Sequence, residues 1–125
     1  MKIKLDTAAK VKEFAKKVQE SYQKLLTGTD YKEWRKEQEE LEEAMMKAQH
    51  DLPKGLCVGK LCRFGVADGY AMYLVTKVGK RISRVEHLPF GDAYTFMGVD
   101  FDGYIMTACL NPFEVTESKR FANRF

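Results

Sequence analysis

Gln49-His50-Asp51-Leu52-Pro53-Lys54-Gly55-Leu56-Cys57-Val58-Gly59-Lys60 is the stretch on which the fold turns. Before it, apolar residues recur at every third or fourth position; after it, at every second. The first rhythm belongs to one face of an α-helix, the second to one face of a β-strand. Pro53 divides them, because proline has no N–H to donate along a helix and disfavours helical backbone in the residue before it.

Working back from Pro53, Tyr31, Trp34, Gln38, Leu41, Met45, Ala48 and Leu52 step alternately by 3 and 4. That spacing predicts a helix over Asp30–Leu52, with Asp30 as N-cap and Glu33 at the capping-box position. Ahead of it, Ala8, Val11, Ala15, Val18, Tyr22 and Leu25 repeat the same rhythm, broadened by Phe14 and Leu26, and predict a helix over Asp6–Leu26. Asp6-Thr7 supplies its N-cap and Gly28 a left-handed C-terminal cap. Thr27-Gly28-Thr29 has room only to reverse the chain, so the two helices form an antiparallel hairpin. Gln38 interrupts the second apolar seam, as a residue that sets helix register does. Helix 1 carries a net charge of +2 and helix 2 of −4, so opposite charges meet along the hairpin.

Working forward from Gly59, five strands are expected: Lys60–Val66, Tyr70–Val78, Arg81–His87, Ala93–Val99 and Tyr104–Leu110. Asp68-Gly69 and Gly79-Lys80 are tight-turn pairs, Leu88-Pro89-Phe90-Gly91-Asp92 is a loop, and Asp100-Phe101-Asp102-Gly103 is a further turn. Tyr70–Val78 is apolar on both faces, which suits a central strand or one roofed by the hairpin. Asn111-Pro112-Phe113-Glu114 has the composition of a helix start, and the tail from Val115 to Phe125 reads as a short helix or a frayed end. Segregated helices and strands define an α+β class. The expected architecture is one domain: a helical hairpin over residues 1–52 packed on a small antiparallel sheet or half-barrel of 4–5 strands over residues 53–125.

The totals agree with that size of domain. A chain of 125 residues, 45% hydrophobic and 31% charged, buries enough surface for a core without metals or disulfides. No apolar run reaches membrane-spanning length, and the charged N-terminus is not a secretory leader. Three cysteines without a framework spacing point to free thiols and a cytoplasmic setting.

Motifs with a mechanism are scarce. Cys57 and Cys62 have four residues between them and no second pair, and gathering His87 and Cys109 around them depends entirely on the fold. Gly55-x3-Gly59-Lys60 has the wrong spacing for a phosphate loop, with Leu61 where a magnesium-binding hydroxyl belongs. Asp100-x-Asp102-Gly103 reads as a turn, because the later acidic ligand of a calcium loop is absent. No metal and no cofactor is expected, and no catalytic residue is assigned. An enzyme built on His87, Asp92 and Cys109 is the weakest reading, since nothing local activates the thiol.

Two binding readings are stronger. In the first, the chain is a non-enzymatic interaction module that docks a protein partner, or a second copy of itself, through Trp34, Leu41, Met45 and Met46, with the pliable methionines offering adaptable apolar surface. In the second, the β-region binds single-stranded nucleic acid, with Arg63, Lys77, Lys80, Arg81 and Arg84 neutralising phosphates and Tyr73 stacking on a base. The net charge of only +3 and the acidic second helix weigh against the second.

Overall fold

A computed structural model describes residues 2–66, 69–79, 82–97 and 109–110. Two helices, α1 (Ala8–Leu26) and α2 (Tyr31–His50), precede five strands: β1 (Leu61–Val66), β2 (Gly69–Val78), β3 (Ile82–Leu88), β4 (Ala93–Met97) and β5 (Cys109–Leu110). Each strand is antiparallel to the next, giving one meander in the order β1-β2-β3-β4-β5. The fold is α+β, a helical hairpin packed on an antiparallel sheet. Among the described residues β1 and β5 do not pair, so the sheet is open. Ala67, Asp68 and Lys80 of the expected turns, the expected turn at Asp100–Gly103 and the expected C-terminal helix lie outside the described residues.

The helix ends follow capping chemistry. Thr7 rather than Asp6 caps α1, its Oγ1 accepting from the Lys10 N–H at 3.3 Å. Asp30 caps α2 by accepting from the Lys32 N–H at 3.3 Å. Gly28 adopts a φ of 98°, which lets its N–H reach the Leu25 carbonyl and the Thr29 N–H reach the Lys24 carbonyl. This double bond pattern satisfies carbonyls a helix end otherwise leaves unpaired. α2 ends at His50, two residues before the expected end, and the Asp51 and Leu52 N–H groups close its last turn on Ala48 and Gln49.

The hairpin is antiparallel because contacts descend α1 as they climb α2. Lys24 pairs with Glu37 at 3.5 Å, and the Gln38 amide donates to the Ser21 hydroxyl at 2.9 Å. Gln38 thus holds helix register through a hydrogen bond to a serine that is itself fully buried. The Lys24–Glu37 pair is exposed and contributes little.

The principal core lies between helices and sheet. Val11, Phe14, Ala15 and Val18 of α1 and Leu41, Met45 and Ala48 of α2 pack on Leu61, Leu74 and Leu88, with Leu5 of the N-terminal strap closing one end. Strand alternation sends Leu74 to this side and Val75 to the other, where Val75 joins Cys62, Tyr73 and Val85 in a second cluster. β2 lies between β1 and β3, and both Leu74 and Val75 are fully buried. The seam on α1 is rotated from its expected centre: Phe14 is in the core, while Leu26 is 64% exposed.

The link from α2 to β1 is held by polar groups. The Gln49 amide donates to the Gly59 carbonyl at 2.8 Å, and its oxygen accepts from the Leu61 N–H at 3.0 Å. The side chain thereby mimics a neighbouring strand. Gly59 donates to the Val75 carbonyl at 2.7 Å and packs its α-carbon directly on the Leu5 carbonyl.

Candidate functional site

An apolar cleft of about 180 Å³ opens where the hairpin meets one end of the sheet. Phe14, Val18 and Tyr22, four residues apart on α1, form one wall. Trp34, Leu41 and Met45 of α2 form the opposite wall, with Gln38 between them. Met72 of β2 and Leu88-Pro89 at the end of β3 form the floor. Phe14, Val18, Leu41, Met45 and Leu88 are buried, Tyr22, Trp34, Gln38 and Met72 are half-buried, and Glu42 stands exposed at the mouth.

The loop after β3 keeps this end of the cleft in place. Leu88–Pro89 is a cis peptide. The Gly91 N–H donates to the His87 carbonyl at 2.6 Å, and the His87 N–H donates to the Asp92 carbonyl at 2.7 Å. Phe90 sets its ring edge-on to Tyr22 at 5.5 Å, so the loop leans on α1. Gly91 packs against the Gln19 side chain on the same helix.

Polar groups in the cleft are few. The Gln38 amide is engaged by Ser21. The Trp34 Nε1–H is buried and makes no hydrogen bond among the described residues. An unmade hydrogen bond of this kind costs about 1–3 kcal/mol. Glu42 makes no ion pair among the described residues.

Of the residues expected to bind protein, Trp34, Leu41 and Met45 therefore converge on one cleft. Met46 is 43% exposed and does not line it. It lies four residues beyond Glu42, one turn further along the row that edges the mouth. Sequence reading missed Phe14, Tyr22, Met72 and Leu88-Pro89 as cleft residues, since nothing in their spacing brings a helix seam to the end of a particular strand.

The basic residues of the β-region are divided by strand alternation. Arg63 opposes Met72 and Arg84 opposes Thr95, which sets both on the helix-facing side, while Tyr73 opposes Cys62 and His87 on the other. Arg63 and Arg84 are half-buried, and Lys77, opposite Arg84, is exposed. Tyr73 is buried, stacked on His87 with ring centres 4.7 Å apart and edge-on to Tyr94. Its ring is already covered by protein. Lys80 and Arg81 lie outside the described residues.

His87, Asp92 and Cys109 do not form a compact group. Cys109 pairs with Phe96, which pairs with Ser83, four residues down β3 from His87. That register sets the two backbones about 13 Å apart along the strands and two strands apart across them. Burial holds the His87 imidazole below its ordinary pKa, against the pull of Asp92, and leaves its Nδ1 without a partner. Among the described residues no three His, Cys, Asp or Glu side chains gather as a metal site, and no helix is long and apolar enough to cross a membrane. Cys57 is a free thiol.

Among the described residues Glu86 is the one buried carboxylate on the helix-facing side, 7% exposed and opposite Leu74. Burial raises its pKa; Lys12 and Arg84 work against the rise and Asp92 adds to it. A folded-state pKa above the unfolded value means that the folded chain holds more protons, so this group's contribution is favourable in acid and lost as pH rises through its folded-state pKa. Glu86→Gln is accordingly expected to melt at a higher temperature than the parent at pH 7, with the two curves converging below pH 4. A variant less stable than the parent at pH 7 would mean that Lys12 and Arg84 outweigh burial.

Compared with known proteins, the chain matches no family model, no curated protein and no solved structure.

Proposed function

We propose that this chain is a non-enzymatic protein-interaction module whose contact surface is the cleft between the helical hairpin and the Met72–Leu88 end of the sheet. One observation carries the reading: Trp34, Leu41 and Met45 converge on an apolar cavity of about 180 Å³ that is open at Glu42. A cavity of that size matches one large apolar side chain, since an apolar cavity near 150 Å³ takes a benzene-sized guest. Interfaces concentrate their affinity in such anchors, with aromatic residues lining the pocket. Exposed Met46 extends the apolar surface beside the mouth, and a thioether chain adapts to varied contacts. The cleft gathers no nucleophile and base, which supports a binding role over a catalytic one. The free thiol of Cys57 supports a reducing, cytoplasmic setting.

The test is retention of partners from the native host by three forms of the full chain. Glu42→Trp lays a large side chain over the mouth from an exposed position, and Lys36→Trp places the same side chain elsewhere on exposed α2. Both are expected to melt with the parent, within about 0.5 kcal/mol. The parent and Lys36→Trp are expected to retain the same partner, and Glu42→Trp to lose it. Equal retention by all three would remove the cleft from the interface. A second copy of the chain as the occupant would appear as a dimer in sedimentation that Glu42→Trp dissociates.

A further inference from the structure

We infer that the cleft receives a basic segment of a partner protein, with an aromatic anchor flanked by lysine or arginine. This rests on the cleft being the interface, and it specifies the chemistry of what enters.

Three observations define that chemistry. The walls are apolar and the volume is that of one aromatic ring, so the anchor is uncharged and ring-sized. The polar groups of the walls are closed to a ligand, since the Gln38 amide is engaged by Ser21 and the Trp34 Nε1–H is buried, so the anchor enters through apolar contact alone. Glu42 edges the mouth with no cation paired to it among the described residues. A positive side chain adjacent to the anchor completes that pair. The helix that carries Glu42 adds to the attraction, because the stretch from Asp30 to Leu52 has a net charge of −4. An acidic segment, or the phosphates of a nucleic acid, meets repulsion at the same place. The chain as a whole carries +3, so its overall charge works against a basic ligand, and a preference for one reports the local field at the mouth.

The probes are acetyl-Arg-Phe-Arg-amide and acetyl-Glu-Phe-Glu-amide, titrated into the full chain at low salt. Binding is followed by the methyl NMR signals of Met45 and Met72, both in the cleft, and by the fluorescence of Trp34, the single tryptophan of the chain. The basic peptide is expected to shift both methyl signals saturably and to bind about 3–5-fold tighter than the acidic one, the scale of one exposed ion pair. High salt and Glu42→Gln are each expected to bring the ratio toward one. Equal binding of the two peptides, unchanged by Glu42→Gln, would overturn this inference while leaving the cleft as an interface, since both still enter. No shift at Met45 or Met72 with either peptide would overturn the cleft reading itself. Salt-sensitive shifts of the same methyl groups by an oligo-dT strand, with none from the basic peptide, would overturn the inference in favour of nucleic acid.

Discussion

Gly59→Ala is expected to destabilise the chain by about 2–5 kcal/mol, the sum of about 1–2 for left-handed backbone and about 1–3 for a forced contact. Gly59 has a φ of 89°, and an added Cβ would lie 1.8 Å from the Leu5 carbonyl oxygen and 2.8 Å from its carbon. Backbone on backbone cannot swing aside as a side-chain tip does. The residue cannot retreat either, because its N–H bonds the Val75 carbonyl and its own carbonyl is held by Gln49. Any relief must pull the N-terminal strap away and expose Leu5, which is 1% exposed in the core. Gly28→Ala is the control. Its φ of 98° is equally strained, yet nothing lies within 4 Å of the added Cβ. It should cost only the conformational share, about 1–2 kcal/mol. Urea denaturation of both variants measures the difference as a fall in midpoint at constant slope. Equal losses at the two glycines would show that the strap yields freely.

Leu74→Ala is expected to cost about 2–5 kcal/mol, the range for truncating a buried leucine into a cavity. Leu74 sits mid-strand in β2, between Leu61 and Glu86, and is fully buried beneath the helices. It is paired on both sides by strands and belongs to the core that the hairpin shares with the sheet, so the site cannot collapse without moving a helix or a strand. For a chain of this length the loss corresponds to a melting temperature lower by roughly 8–20 °C. Leu26→Ala removes the same atoms from a position 64% exposed and should stay within about 0.5 kcal/mol of the parent. A Leu74→Ala loss below about 1 kcal/mol would mean that hairpin and sheet do not share this core.

The contrast between Leu26 and Leu74 also marks how far sequence reaches. Both belong to regular apolar patterns, and sequence alone treated Leu26 as part of the α1 face. The helix period is a local property, so α1, α2 and their turn were legible to within about two residues at each end. The strand period was equally legible: the described extents of β1, β2, β3 and β4 begin within one residue of their expected positions. Which way each face turns is settled by packing. The burial of Phe14 and Ser21 and the exposure of Leu26 depend on where the sheet lies against α1. Gln38 stood out in the sequence as a break in a seam, but its partner, Ser21, lies seventeen residues away on another helix and had no mark of its own.

The same division holds for the candidate site. Trp34, Leu41 and Met45 were legible as a stripe because one helix carries all three. The cleft they line also needs Tyr22, Met72 and Leu88-Pro89, which come from three other elements. Sequence by itself determined the element types and their order, since hydrophobic period, caps and turn residues act over a few neighbours along the chain. The tertiary structure alone decided that Tyr73 is buried against His87 instead of facing solvent, that Arg63 and Tyr73 lie on opposite sides of the sheet, and that a cavity remains where the hairpin meets β3. Those outcomes follow from strand register and from the fit of two layers. Both are set by contacts between residues far apart in the chain, which no local pattern encodes.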